Sequence, residues 1–330
     1  MSKITDYTVT EESFTSLAGY QSSPAHNLRW DLVFTLPVWL EVWWRVFGAE
    51  AKPYLAAVRQ GEAIIGIAPL LIKENVASIV GGVDVCDYLD FVIAPGREKD
   101  FFNILLDNLK QKGINNLELK PLRPDSTVLT HLAGIAKGRG YEVLTEPEDV
   151  SLDMDLPASW EEYLATLDVK QSHEIRRKLR KLSASGEINY YVISEKTAVN
   201  QAMDTFLKMF TESRTDKANF LTGQMETFFR SLVDKLSGAG LLKLGVLELD
   251  KLPVAMVLYF DYKNNIYLYN SGYDPKYDSL SAGLICKLFC IKESIQEGKK
   301  KFDFLKGNET YKYHLGGKVI PLSHCQINIK

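Results

Sequence analysis

The sequence lacks an apolar run long enough to cross a bilayer. Its most apolar early stretch, Leu36–Phe47, is broken by Glu41 and Arg45, whereas a spanning helix needs about 20 apolar residues. Neither sign of charge is in excess: 39 lysines and arginines face 42 aspartates and glutamates, for a net charge of −3 and a pI near 6.0. No global basic field therefore draws the chain to nucleic acid or anionic lipid, and any such affinity is local. Cysteines are few: Cys86, Cys286, Cys290 and Cys325. Cys286 and Cys290 stand four apart with no second Cys or His pair at zinc-ligand spacing, so no metal is expected. The thiols read as buried apolar groups in a reducing compartment. No GxGxxG fingerprint precedes a helix and no Walker loop occurs, which argues against a dinucleotide enzyme or an NTPase. Ser172-His173-Glu174 has no nucleophile elbow, and His173 reads as a surface histidine. Met1–Phe14 is acidic and hydroxyl-bearing with no apolar core, unlike a signal peptide, so a cytoplasmic location is expected.

What is present is an ordinary globular composition, 46% hydrophobic and 25% charged over 330 residues, enough for two domains. The pattern predicts a helix over Leu36–Phe47 with Trp39, Trp43, Val46 and Phe47 on one side. Trp39, Trp43 and Trp44 suit either a membrane interface or burial against a sheet. Strands are expected at Tyr54–Arg59 and Ala63–Lys73, with β-like runs at Ala77–Val83 and Tyr88–Ile93. A helix bearing Phe101, Phe102, Leu105, Leu106 and Leu109 ends near Gly113, before a short strand at Leu117–Leu119. A helix around Ser126–Lys137 and a strand at Tyr141–Thr145 close a first domain, residues 1–150, at the acidic stretch Glu146–Asp149. A second domain, residues 151–330, opens on a capping box at Ser159–Glu162 and continues into a basic segment. Helices at Ala198–Phe210 and Met225–Leu236 follow, then strands at Leu241–Leu249, Val254–Tyr262 and Ile266–Tyr273. A helix capped by Ser281 and ending near Gly298, a strand at Phe302–Leu305 and a β-like run at Val319–Ile329 complete it. Gln111-Lys112-Gly113 before Leu117-Glu118-Leu119 matches Gln296-Glu297-Gly298 before Phe302-Asp303-Phe304 at a constant offset. The same order of elements in both halves points to duplication.

Three segments carry chemistry. Leu280-Ser281-Ala282-Gly283, small residues between a strand and a long helix, suit a phosphate held on the free N–H groups and positive end of that helix; the bland alternative is a serine cap and a closely packed glycine. Lys306-Gly307-Asn308-Glu309-Thr310-Tyr311-Lys312-Tyr313-His314 lies at the end of a buried-looking strand, where α/β folds place ligands. A tyrosine there can protonate a departing thiolate, and a lysine can stabilise an oxyanion or phosphate; the alternative is a solvated loop. Lys170, Arg176, Arg177, Lys178, Arg180 and Lys181 crowd one segment. They suit either a solvated amphipathic helix or a phosphate-bearing partner such as a nucleotide sugar, a lipid diphosphate or tRNA.

Taken in order, Trp160-Glu161-Glu162-Tyr163-Leu164, the basic run, Asn270-Ser271-Gly272-Tyr273-Asp274-Pro275-Lys276-Tyr277, Leu280-Ser281-Ala282-Gly283-Leu284 and Phe302 to Lys312 resemble one family. It is the GNAT-type acetyltransferase family that includes CelD-like proteins of cellulose and exopolysaccharide biosynthesis. Gly81-Gly82 and Asp87-Tyr88-Leu89-Asp90 also fit, so the resemblance runs from about Trp39 to Gly316. It implies an α/β fold of two tandem GNAT-like domains, the first degenerate and the second catalytic, related to the FemAB/FemX peptidoglycan aminoacyltransferases. It implies transfer of an acyl group from acyl-CoA, a co-substrate and not a tightly bound cofactor, to an amine or hydroxyl of a glycan or nucleotide-linked acceptor. The donor diphosphate maps onto Leu280, Ser281, Ala282 and Gly283, and the general acid onto Tyr311. Asp303 or a water is the expected base, the alternative for Asp303 being an outward-facing strand residue. Arg176, Arg177, Lys306 and Lys312 are the expected substrate contacts. Asp278 stands where the family has an amide or basic residue, which leaves an aminoacyl-tRNA donor open. A non-catalytic module binding a polysaccharide-biosynthesis intermediate or complex is the third expectation.

Overall fold

A computed structural model of the chain describes residues 7–82 and 84–329. Val83, the last residue of the expected run Ala77–Val83, and the first six residues of Met1–Phe14 lie outside them. The chain divides into two units, one of residues 1–150 with 320–330 and one of residues 151–319.

The first unit comprises β1 (Tyr7–Glu11), α1 (Phe14–Ser22), α2 (Pro37–Phe47), β2 (Lys52–Gln60), β3 (Ala63–Lys73), β4 (Val76–Ile79), β5 (Val92–Ile93), α3 (Glu98–Gln111) and β6 (Asn116–Leu122). A π-turn then leads into α4 (Ala133–Gly138), and β7 (Glu142–Asp155) carries the chain out of the unit. Strands β1 to β4 pair antiparallel in sequence, and β4 pairs parallel with β6. Trp39 and Trp43 are 0% and 8% exposed, because α2 turns its apolar stripe inward. That corrects the membrane-interface alternative for both. The Tyr88–Ile93 run is a strand only at its last two residues. Instead, Leu89 N–H donates to Pro121 O at 2.9 Å, so this segment occupies the space beyond the last β4–β6 pair, Ser78 with Glu118.

The second unit comprises α5 (Trp160–Thr166), α6 (Val169–Ser183), β8 (Ile188–Ile193), α7 (Lys196–Ser213), α8 (Thr215–Phe220), α9 (Gly223–Gly238), β9 (Leu242–Leu249), β10 (Leu252–Tyr262), β11 (Asn265–Tyr273), α10 (Ala282–Gln296), β12 (Lys301–Lys306) and α11 (Thr310–His314). Here β8 to β11 pair antiparallel in sequence, and β11 pairs parallel with β12. On its other edge β12 pairs with Ser151–Asp155 of β7. The pairing scheme is that of the first unit: a meander, a helix, then a strand returning parallel to the last of the meander. Gly113 and Gly298 close the two equivalent helices at φ 73° and 69°, left-handed positions where glycine carries no side-chain penalty.

Glu146–Asp149 lies within β7, and the chain passes from one unit to the other after Val150. One boundary differs from the sequence reading. The closing strand β13 (Lys318–Asn328) belongs from Ile320 onward to the first unit, because it pairs with β6 there.

Candidate active site

The site of the second unit begins where two strands part. Pairing between β11 and β12 runs from Asn265 with Lys301 to Tyr267 with Asp303 and stops, although β11 continues to Tyr273 and β12 to Lys306. The carbonyl ends of two parallel strands thus flank a gap, the usual ligand position of an α/β sheet.

On the β11 side the chain passes through a 3-10 segment, Pro275–Leu280, into α10. Ser281 holds the N-cap position but does not cap. Its backbone is left-handed, at φ 57° and ψ 36°, whereas a capping serine needs extended dihedrals to aim its oxygen at the first turn. Its hydroxyl instead accepts from Lys178 Nζ at 2.8 Å, and Lys181 Nζ donates to Ser279 O at 2.7 Å. Leu284 and Ile285 N–H donate to Ser281 O at 3.1 and 3.0 Å, which leaves the Ala282 and Gly283 N–H groups at the helix start without an intrahelical partner, and the Ser281 side chain does not cap them. Helix α6 thus lays two ammonium groups beside an uncapped helix N-terminus. Gly283 is not an open floor: a Cβ there would meet the Tyr273 ring at 2.8 Å, so its lack of a side chain admits Tyr273. Leu280 ends the 3-10 segment, and Ala282 is buried.

On the β12 side the strand ends in a strained turn. Leu305 has φ 64°, unfavourable for a residue with a branched side chain, beside a bulge between Asp303 and Leu305. The turn is held from both ends. Asp303, 2% exposed, accepts from Leu305 N–H at 2.8 Å, and Lys312 Nζ donates to the carbonyls of Leu305, Lys306 and Gly307 at 3.0, 2.6 and 3.2 Å. Lys312 also pairs with Glu309 at 2.9 Å. The expectation that Asp303 faces outward is corrected by its burial, and its oxygen is engaged on its own backbone. Lys312, expected to meet substrate, is 2% exposed with its ammonium committed to the loop. Lys306 is half-buried at the strand end.

Tyr311, on α11, lies with its ring 4.7 Å from Lys287 Nζ. Lys287 comes from the second turn of α10, is 7% exposed, and donates to Gly283 O at 3.1 Å. Burial pushes its ammonium down to about 8. Lys217, from α8, reaches Ser271 O on the length of β11 beyond its pairing with β12 and lies 4.9 Å from the Phe210 ring centroid. Burial, with Lys287 and Arg214 nearby, pushes it down to about 7. Gly272 is required beside it: a Cβ there would lie 2.4 Å from Phe210 N, so α7 packs backbone to backbone on β11.

Arg176 and Arg177, expected at the substrate, project from the exposed face of α6. Arg177 holds Glu174 down to about 2. The structure therefore gathers Ser281, Gly283, Tyr311, Lys306 and Asp303 around one gap and leaves the two arginines outside it. Lys178, Lys181, Lys217 and Lys287 were missed as individual site residues. Lys287 had a signal: a cation among the buried positions of an otherwise apolar helix. Lys217, in a polar six-residue helix, had none.

The fold is a tandem of two GNAT-like units, and residues 169–313 match the family model described as an acetyltransferase (GNAT) domain. No curated protein matches the chain. Among solved structures the chain is similar to FemX, at 11% identity and a TM-score of 0.66 with 96% of each chain covered. A conserved protein of unknown function from Bacteroides thetaiotaomicron is similar at 13% identity and a TM-score of 0.60, covering 98% of this chain and 100% of that one. The C-terminal domain of a putative lysylphosphatidylglycerol synthetase from Agrobacterium fabrum is similar at 12% identity and a TM-score of 0.55, covering 87% and 90%. Among the described residues no helix is long and apolar enough to cross a membrane.

Proposed function

We propose that the second unit transfers an acyl group from an acyl-CoA thioester to an amine or hydroxyl acceptor in the gap between β11 and β12, the acceptor being a glycan or nucleotide-linked cell-envelope precursor. The observation that carries this reading is the α10 N-terminus, uncapped by any side chain and flanked by Lys178 on Ser281 and Lys181 on Ser279. Oriented N–H groups and two cations suit a diphosphate. They supply the positive charge that Asp278 denies the loop. The acceptor attacks the thioester carbonyl directly, and the leaving thiolate takes a proton from Tyr311. With Asp303 bonded to the Leu305 N–H, a water is the better candidate for the acceptor's proton.

Calorimetry with acetyl-CoA tests the donor site. Replacing both Lys178 and Lys181 by alanine should weaken binding about 10²-fold, at 1.4 kcal/mol per tenfold and roughly that per charge-assisted bond. Both side chains lie on the surface of α6, so the fold should survive. Unchanged affinity would move the donor elsewhere. A second reading, a Fem-like aminoacyl-tRNA donor, is favoured by the exposed Lys170, Arg176, Arg177 and Arg180 on the outer face of the same helix and by the likeness to FemX. The non-catalytic alternative predicts a carbohydrate ligand with neither donor bound.

A further inference from the structure

Two lysines of the second unit, Lys287 buried and Lys217 half-buried, form no salt bridge, although the Glu309 carboxylate lies near enough to act on both and Asp216 on Lys217. An ammonium has three donors, yet Lys287 bonds only Gly283 O and Lys217 only Ser271 O. Glu309 is itself held by Lys312 and Asp216 by Arg214, so neither carboxylate is committed to Lys217 or Lys287. The neighbouring cations are treated otherwise: Arg214 pairs with Asp216 at 2.7 Å, Lys312 with Glu309 at 2.9 Å and Lys178 with Glu174 at 3.3 Å. Two aromatic faces, Phe210 and Tyr311, attend the pair in place of anions. A buried charge without a partner is costly, and two like charges near each other more so. Replacing either by an apolar residue would relieve that cost, so a fold that keeps both has a use for them.

We propose that Lys217 and Lys287 form an anion site at the parting of β11 and β12 that takes a carboxylate carried by one of the two molecules joined there. The site rests on the acyl-transfer reading for its role and on the lysine pair for its existence. It is separate from the diphosphate position, which Lys178 and Lys181 serve across the α10 N-terminus. Two point-charge donors suit the two oxygens of a carboxylate. The charge also matches in sign: lysines held down to about 7 and about 8 carry roughly one and a half positive charges between them near neutrality, most of which one carboxylate offsets. Binding then draws a proton onto the pair and weakens as the lysines titrate.

Calorimetry on the whole chain has two arms. Succinyl-CoA beside acetyl-CoA asks for a carboxylate on the acyl group, and γ-aminobutyrate beside butylamine asks for one on the acceptor. In one arm the carboxylate-bearing probe should bind at least about tenfold tighter at about pH 7. The advantage should shrink toward pH 9 and disappear in Lys217→Met, which keeps the apolar stem and should melt no lower than the native chain. Lys287→Met is the second variant with the same expectation. Equal binding within both arms, absence of binding included, overturns the site, as does an advantage that survives both substitutions. Failure of both coenzyme A esters with the acceptor preference intact would sink the acyl-CoA reading alone. Equal, tight binding of the two esters with no acceptor preference would sink the anion site alone.

Discussion

Tyr311 presents its ring to Lys287, and its hydroxyl is the proposed proton donor to the departing thiolate. Phenylalanine keeps the ring, and with it the 4.7 Å approach to the ammonium, but removes the proton donor. A coenzyme A thiolate leaves readily, so the drop in kcat of Tyr311→Phe should lie near 10²-fold, the low end for general acid catalysis, with donor Kd nearly constant. Tyr313, whose hydroxyl is engaged by Asn308, is the control and should tolerate the same change. Wild-type kcat in Tyr311→Phe, or an equal drop in Tyr313→Phe, removes Tyr311 from the chemistry. The position of Tyr311 was legible in the sequence because it follows a strand at fixed spacing. The part played by Ser281 was not, whereas the close packing of Gly283 was one of its two readings. A left-handed serine depends on dihedrals, and the identity of the ring that Gly283 admits depends on a neighbour ten residues away, neither of which a short motif encodes.

Helix α6 shows how a single element can be read correctly and used differently. Its six cations and apolar seam mark it plainly in the sequence, and Asp168 with Gln171 caps it. What the sequence does not state is which cations face the protein. Lys178 and Lys181 turn toward α10, whereas Arg176 and Arg177 face solvent. Arg176→Glu with Arg177→Glu should therefore leave acetyl-CoA affinity unchanged. If a phosphate-bearing acceptor or tRNA uses the outer face, the salt dependence of its binding should flatten, by roughly one unit of slope for each phosphate no longer neutralised. An unaltered salt dependence, measured by titration at several ionic strengths, returns that face to plain solvation. The strands missed in the sequence, β1 and β8, are edge strands of mixed burial. Their alternation is weak because one edge and part of one face meet water. The strands with long buried stretches, β3 and β10, were read almost to the residue.

At the scale of the molecule, the repeated pairing scheme gives each unit a gap beyond its parallel pair, and the two gaps are filled differently. In the second unit the gap beyond the parallel pair is left to side chains; in the first, Leu89 and its flanking backbone enter it and bond to Pro121. The duplication was legible from the order of elements, but the filling of one gap was not, since it depends on an irregular segment. The second unit is also, topologically, an insertion: the first needs residues 320–329, which follow all of it. These residues place Leu322, Ile327 and Ile329 in its core at 1% exposure each. At about 1.5–3 kcal/mol per buried aliphatic side chain, their removal is comparable with the whole stability of a typical domain, about 5–15 kcal/mol. Deleting residues 320–330 should thus abolish hydrogen-exchange protection in β2, β3 and β6 while β9 to β11 keep theirs; protection retained in both sets would refute the dependence. The same topology sets a schedule during synthesis. On the ribosome, the half made first must wait for the half made second, because the strand that completes its sheet emerges only after residues 151–319. Until then β6 presents an unpaired edge, and a pause in translation before Ile320 would prolong the interval in which that edge is open to another chain.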